Sequence, residues 1–178
     1  MARDIIMETL VIEPGSEYAI WSKTSENVML GVCHVQKSSI RKLVIGEGVV
    51  QIGTMDARKG MFYRCYALRE VVLPSSLQSI GRCVFQECIK LTGIVIPEGC
   101  RKIGEGAFDG CWALTKVTFQ EGCASIGNGA FEDCHALLDV KLPESIQKIG
   151  NYAFRGCVCL TPMVYNWGKT CFRQLAKS

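Results

Sequence analysis

Apolar residues recur along this chain with a period of 23 residues, which matches no helical heptad. Phenylalanine, cysteine and leucine return together in the spacing F-x-x-C-x-x-L. The members are Phe62, Phe85, Phe108, Phe131 and Phe154; Cys65, Cys88, Cys111, Cys134 and Cys157; and Leu68, Leu91, Leu114, Leu137 and Leu160. A fixed period of this length is typical of a repeat protein, in which each copy buries its apolar side against the next.

A short strand follows each of these leucines, because apolar and polar positions alternate there with a period of two. In the strand that begins at Glu70, Val71 and Leu73 share one face, whereas Glu70 and Val72 share the other. Proline follows the strand in three copies and would end strand pairing: Pro74, Pro97 and Pro143. Stacked strands would lie about 4.8 Å apart, so equivalent residues should form columns.

An isoleucine–glycine pair is the second anchor of each copy. It occurs at Ile80-Gly81, Ile103-Gly104, Ile126-Gly127 and Ile149-Gly150. We interpret its glycine as a turn residue that needs a positive φ angle. The Ala-Phe-x-x-Cys segment that follows predicts one helical turn, too short to be stable alone. Ile52-Gly53 starts the same series, and extra residues after it predict an insertion near 54–60.

The combined signature resembles BspA-type leucine-rich repeats, which join C-x-x-L-x-x-V-x-I-P to I-G-x-x-A-F. The resemblance implies an α/β repeat solenoid: a curved, right-handed leucine-rich repeat superhelix with a parallel β-sheet on its concave face and short helical or irregular convex segments. It also implies a surface or secreted protein that acts in protein binding and cell adhesion. The copies depart from the pattern at Gln120, which replaces the proline, and at the insertion.

Three regions follow from the pattern. Residues 1–39 predict a β-rich N-terminal cap with strands at 18–21 and 28–35, and its Leu10–Ile12 segment echoes Leu43–Ile45. Residues 40–165 form the repeat solenoid, with about five copies. Residues 166–178 predict a short amphipathic helix. This segment either caps the last coil or leaves it open to a second copy of the chain.

Composition narrows the class of protein. The chain has 178 residues, of which 48% are hydrophobic and 21% charged, with a net charge of +3. These values fit one folded domain and argue against a disordered chain or a general nucleic-acid binder. No apolar run approaches the roughly 20 residues of a membrane-spanning helix, and residues 1–15 show no secretory signal. The expectation of an exported protein therefore rests on the resemblance.

Eleven cysteines are the main candidates for chemistry. Five belong to the repeating column, and Cys100 and Cys123 share another column with aliphatic residues, so we interpret all seven as structural core thiols. Cys33, Cys83, Cys159 and Cys171 remain, and a disulfide involving Cys159 or Cys171 is the alternative. The chain has no C-x-x-C motif, two histidines and no convincing nucleophile–base pair. We therefore predict a noncatalytic protein without a cofactor or bound metal.

Surface columns give the candidate binding residues. One outward row of the concave sheet should contain Val44, Val72, Val95, Thr118, Lys141 and Val164, and a lateral column should expose Tyr66 and Trp112. Arg58 and Lys59 make the insertion basic. These features predict a protein partner bound on the concave face. The alternatives are a homo-oligomer formed through exposed apolar surface or imperfectly capped ends, and columns that pack only against neighbouring coils.

Overall fold

The computed structural model describes residues 9–12, 28–30, 40–53, 55 and 60–160. These residues form strands and turns, and no helix occurs among them. The strands are β1 (Thr9–Ile12), β2 (Val28–Leu30), β3 (Lys42–Ile45), β4 (Val49–Ile52), β5 (Glu70–Val72), β6 (Ser79–Ile80), β7 (Gly93–Ile96), β8 (Lys102–Ile103), β9 (Lys116–Phe119), β10 (Ser125–Ile126), β11 (Asp139–Lys141) and β12 (Lys148–Ile149).

Each coil contributes one strand to each of two parallel rows. The odd-numbered strands form two three-stranded sheets, β1-β3-β5 and β7-β9-β11, and we call their outer surface the odd-strand face. The even-numbered strands form one continuous six-stranded sheet from β2 to β12. The predicted repeat solenoid with a parallel sheet is confirmed. The even row was not predicted: the glycine of each isoleucine–glycine pair was interpreted as a turn residue, but the isoleucine before it ends a strand.

Strand register places equivalent residues of successive coils side by side. Leu43 pairs with Val71, and Ile94 pairs with Val117, which in turn pairs with Val140. The echo near the N-terminus follows the same rule, since β1 pairs with β3 and β2 pairs with β4. The segment predicted as a cap therefore adds a strand to each row. The predicted strand at 18–21 and the predicted helix at 166–178 lie outside the described residues.

A stack of phenylalanine rings runs through the core. The five rings from Phe62 to Phe154 follow one another at centroid separations of 5.5, 5.3, 5.1 and 5.4 Å, with interplanar angles of 16° or less. All five side chains are buried. Near-parallel rings at this spacing add attraction beyond the burial of their area. The predicted phenylalanine column is thus the central packing element of the solenoid.

The repeating cysteines form hydrogen bonds as well as apolar contacts. The Sγ atom of Cys111 donates to the carbonyl oxygen of Phe85 in the preceding coil at 3.2 Å, and Cys88, Cys134 and Cys157 make the same bond at 3.1 to 3.3 Å. The Phe85 carbonyl also accepts the backbone N–H of Cys88. Each such thiol therefore satisfies a buried carbonyl's second lone pair and links two coils, a role beyond that of a small hydrophobic residue.

The glycine of the isoleucine–glycine pair is required by close backbone contact. A Cβ atom at Gly104 would lie 2.5 Å from the carbonyl carbon of Gly81, and one at Gly127 would lie 2.6 Å from the equivalent atom of Gly104. Only Gly53 in this series has a positive φ among the described residues. The predicted reason, a positive φ angle, is therefore wrong from Gly81 onward: glycine allows successive coils to stack at backbone distance.

Turns replace the predicted helical turn in the segments that join each even strand to the next odd strand. The residue before every repeating cysteine has a positive φ angle, at Arg64, Glu87, Gly110, Asp133 and Gly156. A left-handed residue at this point stops helix propagation. Backbone bonds run between coils instead, as when the N–H of Phe85 donates to the Ala107 carbonyl at 2.8 Å. Of the two forms predicted for these segments, helical or irregular, the described residues adopt the irregular one.

Candidate interaction surface

The structure aligns an aliphatic row on the odd-strand face. Val11 pairs with Val44 and Val44 with Val72 in one sheet, while Val95 pairs with Thr118 and Thr118 with Lys141 in the other. Alternation along each strand turns these side chains away from the core. Val11, Val72 and Val95 are 46%, 41% and 52% exposed, so the row is a solvent-facing apolar stripe.

Five of the six residues predicted for this row lie on the odd-strand face, in two register-paired groups. Val44 and Thr118 are half-buried and Lys141 is exposed. Val164 lies outside the described residues. Val11 extends the row and was missed, because its copy of the repeat lacks the phenylalanine and cysteine that marked the register elsewhere. Its signal was the leucine–valine–isoleucine echo at residues 10–12.

A second row of mostly charged residues lies beside the valines. It is set by the same strand pairing and contains Lys42, Glu70, Gly93, Lys116 and Asp139. Lys42 Nζ lies 2.7 Å from Glu70 Oε1. Gly93 interrupts this row, since it alone among the five has no side chain. A Cβ atom built there would meet the Lys116 carbonyl oxygen at 3.7 Å, an ordinary contact, so space above Gly93 is open.

The strand pairing of the odd-strand face stops between β5 and β7. The backbone N–H and the hydroxyl of Thr92 both donate to the Arg69 carbonyl at 3.3 Å, just before the two strands begin. In the even row of the same coils, β6 and β8 remain paired. An open groove of about 910 Å³ lies at this break, lined by residues that include Val72, Gly93 and Val95.

Both carboxylates that line this groove have partners within the chain. Glu70 pairs with Lys42 as described above. Glu47 accepts bonds from the backbone N–H and hydroxyl of Ser75, at 2.9 and 3.0 Å, and from the N–H of Ser76 at 3.2 Å. The Ser75 N–H is the main cause of a lowered pKa for the Glu47 carboxyl. Around the groove, Lys116 and Arg69 have no carboxylate of a described residue within 4 Å.

Comparison with known proteins identifies the repeat. The sequence model for the BspA type leucine rich repeat region matches residues 55–176, in six copies. The chain belongs to the BspA-type leucine-rich repeat family. No curated protein gives a significant match.

Solved structures share the fold of this BspA-type chain. A leucine-rich repeat protein from Eubacterium ventriosum is similar with a TM-score of 0.65 and 22% identity, over 77% of this chain and 35% of that one. A leucine rich cell surface protein from Faecalibacterium prausnitzii gives 0.53 and 23%, over 87% and 46%. A leucine-rich repeat protein from T. pallidum gives 0.56 and 21%, over 84% and 91%. The chain thus spans less than half the length of the first two.

The lateral column lies apart from the groove of this BspA-type repeat. Tyr66 and Trp112, 42% and 53% exposed, belong to turns that precede the odd strands, and neither lines the groove. The Trp112 ring stacks on His135 at 6.3 Å. The Tyr66 hydroxyl donates to the Glu87 carboxylate at 3.5 Å. The lateral column and the valine row are therefore separate surfaces, as the sequence analysis treated them.

Most of the predicted basic insertion at 54–60, including Arg58 and Lys59, lies outside the described residues. Neighbouring Arg64 uses its guanidinium to hold the Glu87 carboxylate, with Nε 2.8 Å from Oε2. The Tyr63 hydroxyl donates to the same carboxylate at 3.1 Å, and these bonds, that of Arg64 foremost, lower the pKa of Glu87. The cluster of Tyr63, Arg64, Tyr66 and Glu87 was missed because it joins side chains one coil apart, at positions that vary between copies.

The thiols are placed for packing, as predicted. The repeating cysteines, Cys100 and Cys123 are all buried. Burial raises the pKa of the Cys100 thiol to about 12 and that of Cys123 to about 11, which suppresses the nucleophilic thiolate. Cys83 is a buried free thiol and Cys159 an exposed one, while Cys33 and Cys171 lie outside the described residues. Among the described residues, no three metal-ligating side chains converge and no helix could span a membrane.

Proposed function

We propose that this BspA-type segment is a noncatalytic module that binds a protein through its odd-strand face. The observation that supports this most strongly is the register-aligned valine row. Exposure of these apolar side chains to water is unfavourable in free energy, and a contiguous exposed apolar patch is typical of an interaction site. Charged residues border the row, as polar residues border the apolar centre of a protein interface.

Site-directed substitution on the row tests this proposal. Val72→Asp and Val95→Asp should each reduce retention of the partner protein by the immobilised chain about tenfold or more, because a desolvated carboxylate is costly at an apolar contact. Val158→Asp is the matched control, since Val158 is 76% exposed and lies on a turn rather than on the odd-strand face. Equal retention by all three variants and the wild type would contradict the proposal.

A second copy of the chain is the alternative occupant of the same row. Static light scattering across protein concentration measures this directly. A wild-type dimer that Val95→Asp converts to a monomer would identify self-association. A chain that stays monomeric at high concentration would leave a different protein as the partner.

We also propose that the protein is exported or displayed at the cell surface and acts in adhesion. The support is family membership together with similarity in fold to a leucine rich cell surface protein from Faecalibacterium prausnitzii. Treatment of intact cells with a protease that cannot enter them should remove the protein if it is displayed at the surface. Complete protection in intact cells, with cleavage after lysis, would argue for an internal location.

A further inference from the structure

The groove between β5 and β7 differs in shape from the rest of the odd-strand face. Elsewhere the strands are paired and their outward side chains form continuous rows, but here the pairing stops and Gly93 contributes no side chain. Val72 and Val95, on either side of the break, are 41% and 52% exposed. A partner's side chain can therefore reach the backbone of Gly93 and contact both valines.

The charges around the groove are unequally neutralised. Glu70 is paired with Lys42, and Glu47 is held by Ser75 and Ser76. The groove's two cations, Arg69 and Lys116, have no such partner among the described residues. Asp139 is the register neighbour of Lys116, yet no ion pair within 4 Å forms between them. The charge left to be complemented by a partner is consequently positive.

The size of the groove favours a short stretch of chain over a small molecule. Its volume of about 910 Å³ is near the top of the range for ligand clefts, about 300 to 1,000 Å³, but it is open to solvent. An open cleft cannot enclose a small ligand, whereas an extended peptide can lie along it and place alternate side chains against the protein.

We propose that this groove binds an extended acidic peptide segment, seating an aliphatic side chain over Gly93 between Val72 and Val95 and directing carboxylates to Lys116 and Arg69. This inference rests on the proposed function, because it names the class of partner that the odd-strand face takes. The apolar contact supplies most of the affinity, and the exposed ion pairs supply selectivity that weakens as salt is added.

Selection from a phage-displayed library of random twelve-residue peptides tests the inference on the intact chain. Enriched peptides should be net acidic and carry an aliphatic residue, and synthetic copies should bind more weakly in 0.5 M salt when followed by fluorescence polarisation. The double variant Arg69→Glu with Lys116→Glu should weaken binding about tenfold. Gly93→Gln should do the same by filling the floor of the groove. Lys102→Glu combined with Lys148→Glu, on exposed residues of β8 and β12 in the even row, is the charge-matched control and should leave binding unchanged.

Each result distinguishes the groove from the wider proposal. Peptides without an acidic bias, or affinities unchanged by Gly93→Gln and by the charge reversals while Val95→Asp abolishes binding, would overturn the acidic-peptide inference and leave the odd-strand face as the binding surface. A library that yields no binder would also overturn it and leave a folded partner. Binding that is indifferent to Val72→Asp and Val95→Asp as well would overturn both. Circular dichroism checks folding, which Gly93→Gln should preserve because a Cβ has room there.

Discussion

The phenylalanine stack predicts that the cost of losing one ring depends on how many neighbours that ring has. Phe108 is fully buried and stacks on Phe85 at 5.3 Å and on Phe131 at 5.1 Å. Phe154 is also buried but stacks, among the described residues, on Phe131 only, at 5.4 Å. Substitution by leucine at either position keeps an apolar side chain and removes the ring. The two variants therefore differ mainly in the number of stacked pairs lost.

The magnitude follows from the pair energies. A stacked aromatic pair adds about 0.5 to 1.5 kcal/mol beyond area burial, and imperfect filling of the core by leucine adds roughly 1 kcal/mol at either site. Phe108→Leu should therefore lower the free energy of unfolding by about 3 kcal/mol and Phe154→Leu by about 2 kcal/mol. The expected difference of about 1 kcal/mol corresponds to about 2 to 4 °C in Tm for a chain of this size.

Urea unfolding, followed by circular dichroism and by tryptophan fluorescence, measures this difference. The two probes must give coincident transitions, because repeat proteins can unfold locally from their ends. Equal losses at the two positions, or a larger loss for Phe154→Leu with an unchanged m-value, would refute the view that the rings stabilise each other pairwise. A Phe85→Leu variant, which also loses two stacked pairs, should match Phe108→Leu.

Two further predictions follow from the buried thiols and from the left-handed turns. Burial raises the pKa of Cys100 to about 12 and that of Cys123 to about 11, so each folded thiol holds its proton more tightly than the unfolded thiol, whose pKa is about 8.5. The free energy of unfolding is therefore highest below pH 8.5. It falls as the pH rises toward the folded-state pKa, by roughly 1.4 kcal/mol per pH unit for each thiol. Cys100→Val should flatten the decline in urea unfolding free energy between pH 8 and pH 10 in the presence of reductant, and parallel slopes would contradict this. Gly129→Ala should lower the free energy of unfolding by about 1 to 2 kcal/mol, because Gly129 has a φ of +56°, where a Cβ atom is strained. Thermal unfolding measures this loss of stability, with Gly93→Ala as the control. An equal loss of stability in both variants would count against backbone strain as the cause.

The sequence alone was sufficient to predict the solenoid and the columns of its core. Phe108, Cys111 and Leu114 recur at a constant spacing, and a constant spacing in sequence becomes a constant position in a stack of coils. The outward position of Val72 and Val95 could be predicted for the same reason, since side chains alternate along a strand. These conclusions need only the local period and the geometry of a strand.

Other features depend on how neighbouring coils meet. The even row of strands consists of two to four residues per coil, too few for an alternating pattern to be recognised before their partners are known. Glycine at Gly104 could be read from sequence as a turn, and only the 2.5 Å approach to Gly81 shows that it serves coil stacking. The thiol of Cys111 resembles a small apolar side chain until the Phe85 carbonyl is placed beside it.

The binding groove shows the same division. The sequence was sufficient to predict which residues face outward, because side chains alternate between the two faces along any single strand. Tertiary structure decided that pairing stops between β5 and β7, that Glu70 and Glu47 are engaged, and that Lys116 forms no ion pair with another described residue. Each of these is a relation between coils. A repeat sequence specifies its columns through local geometry, whereas a gap or an unmatched charge within a column exists only once neighbouring copies are stacked.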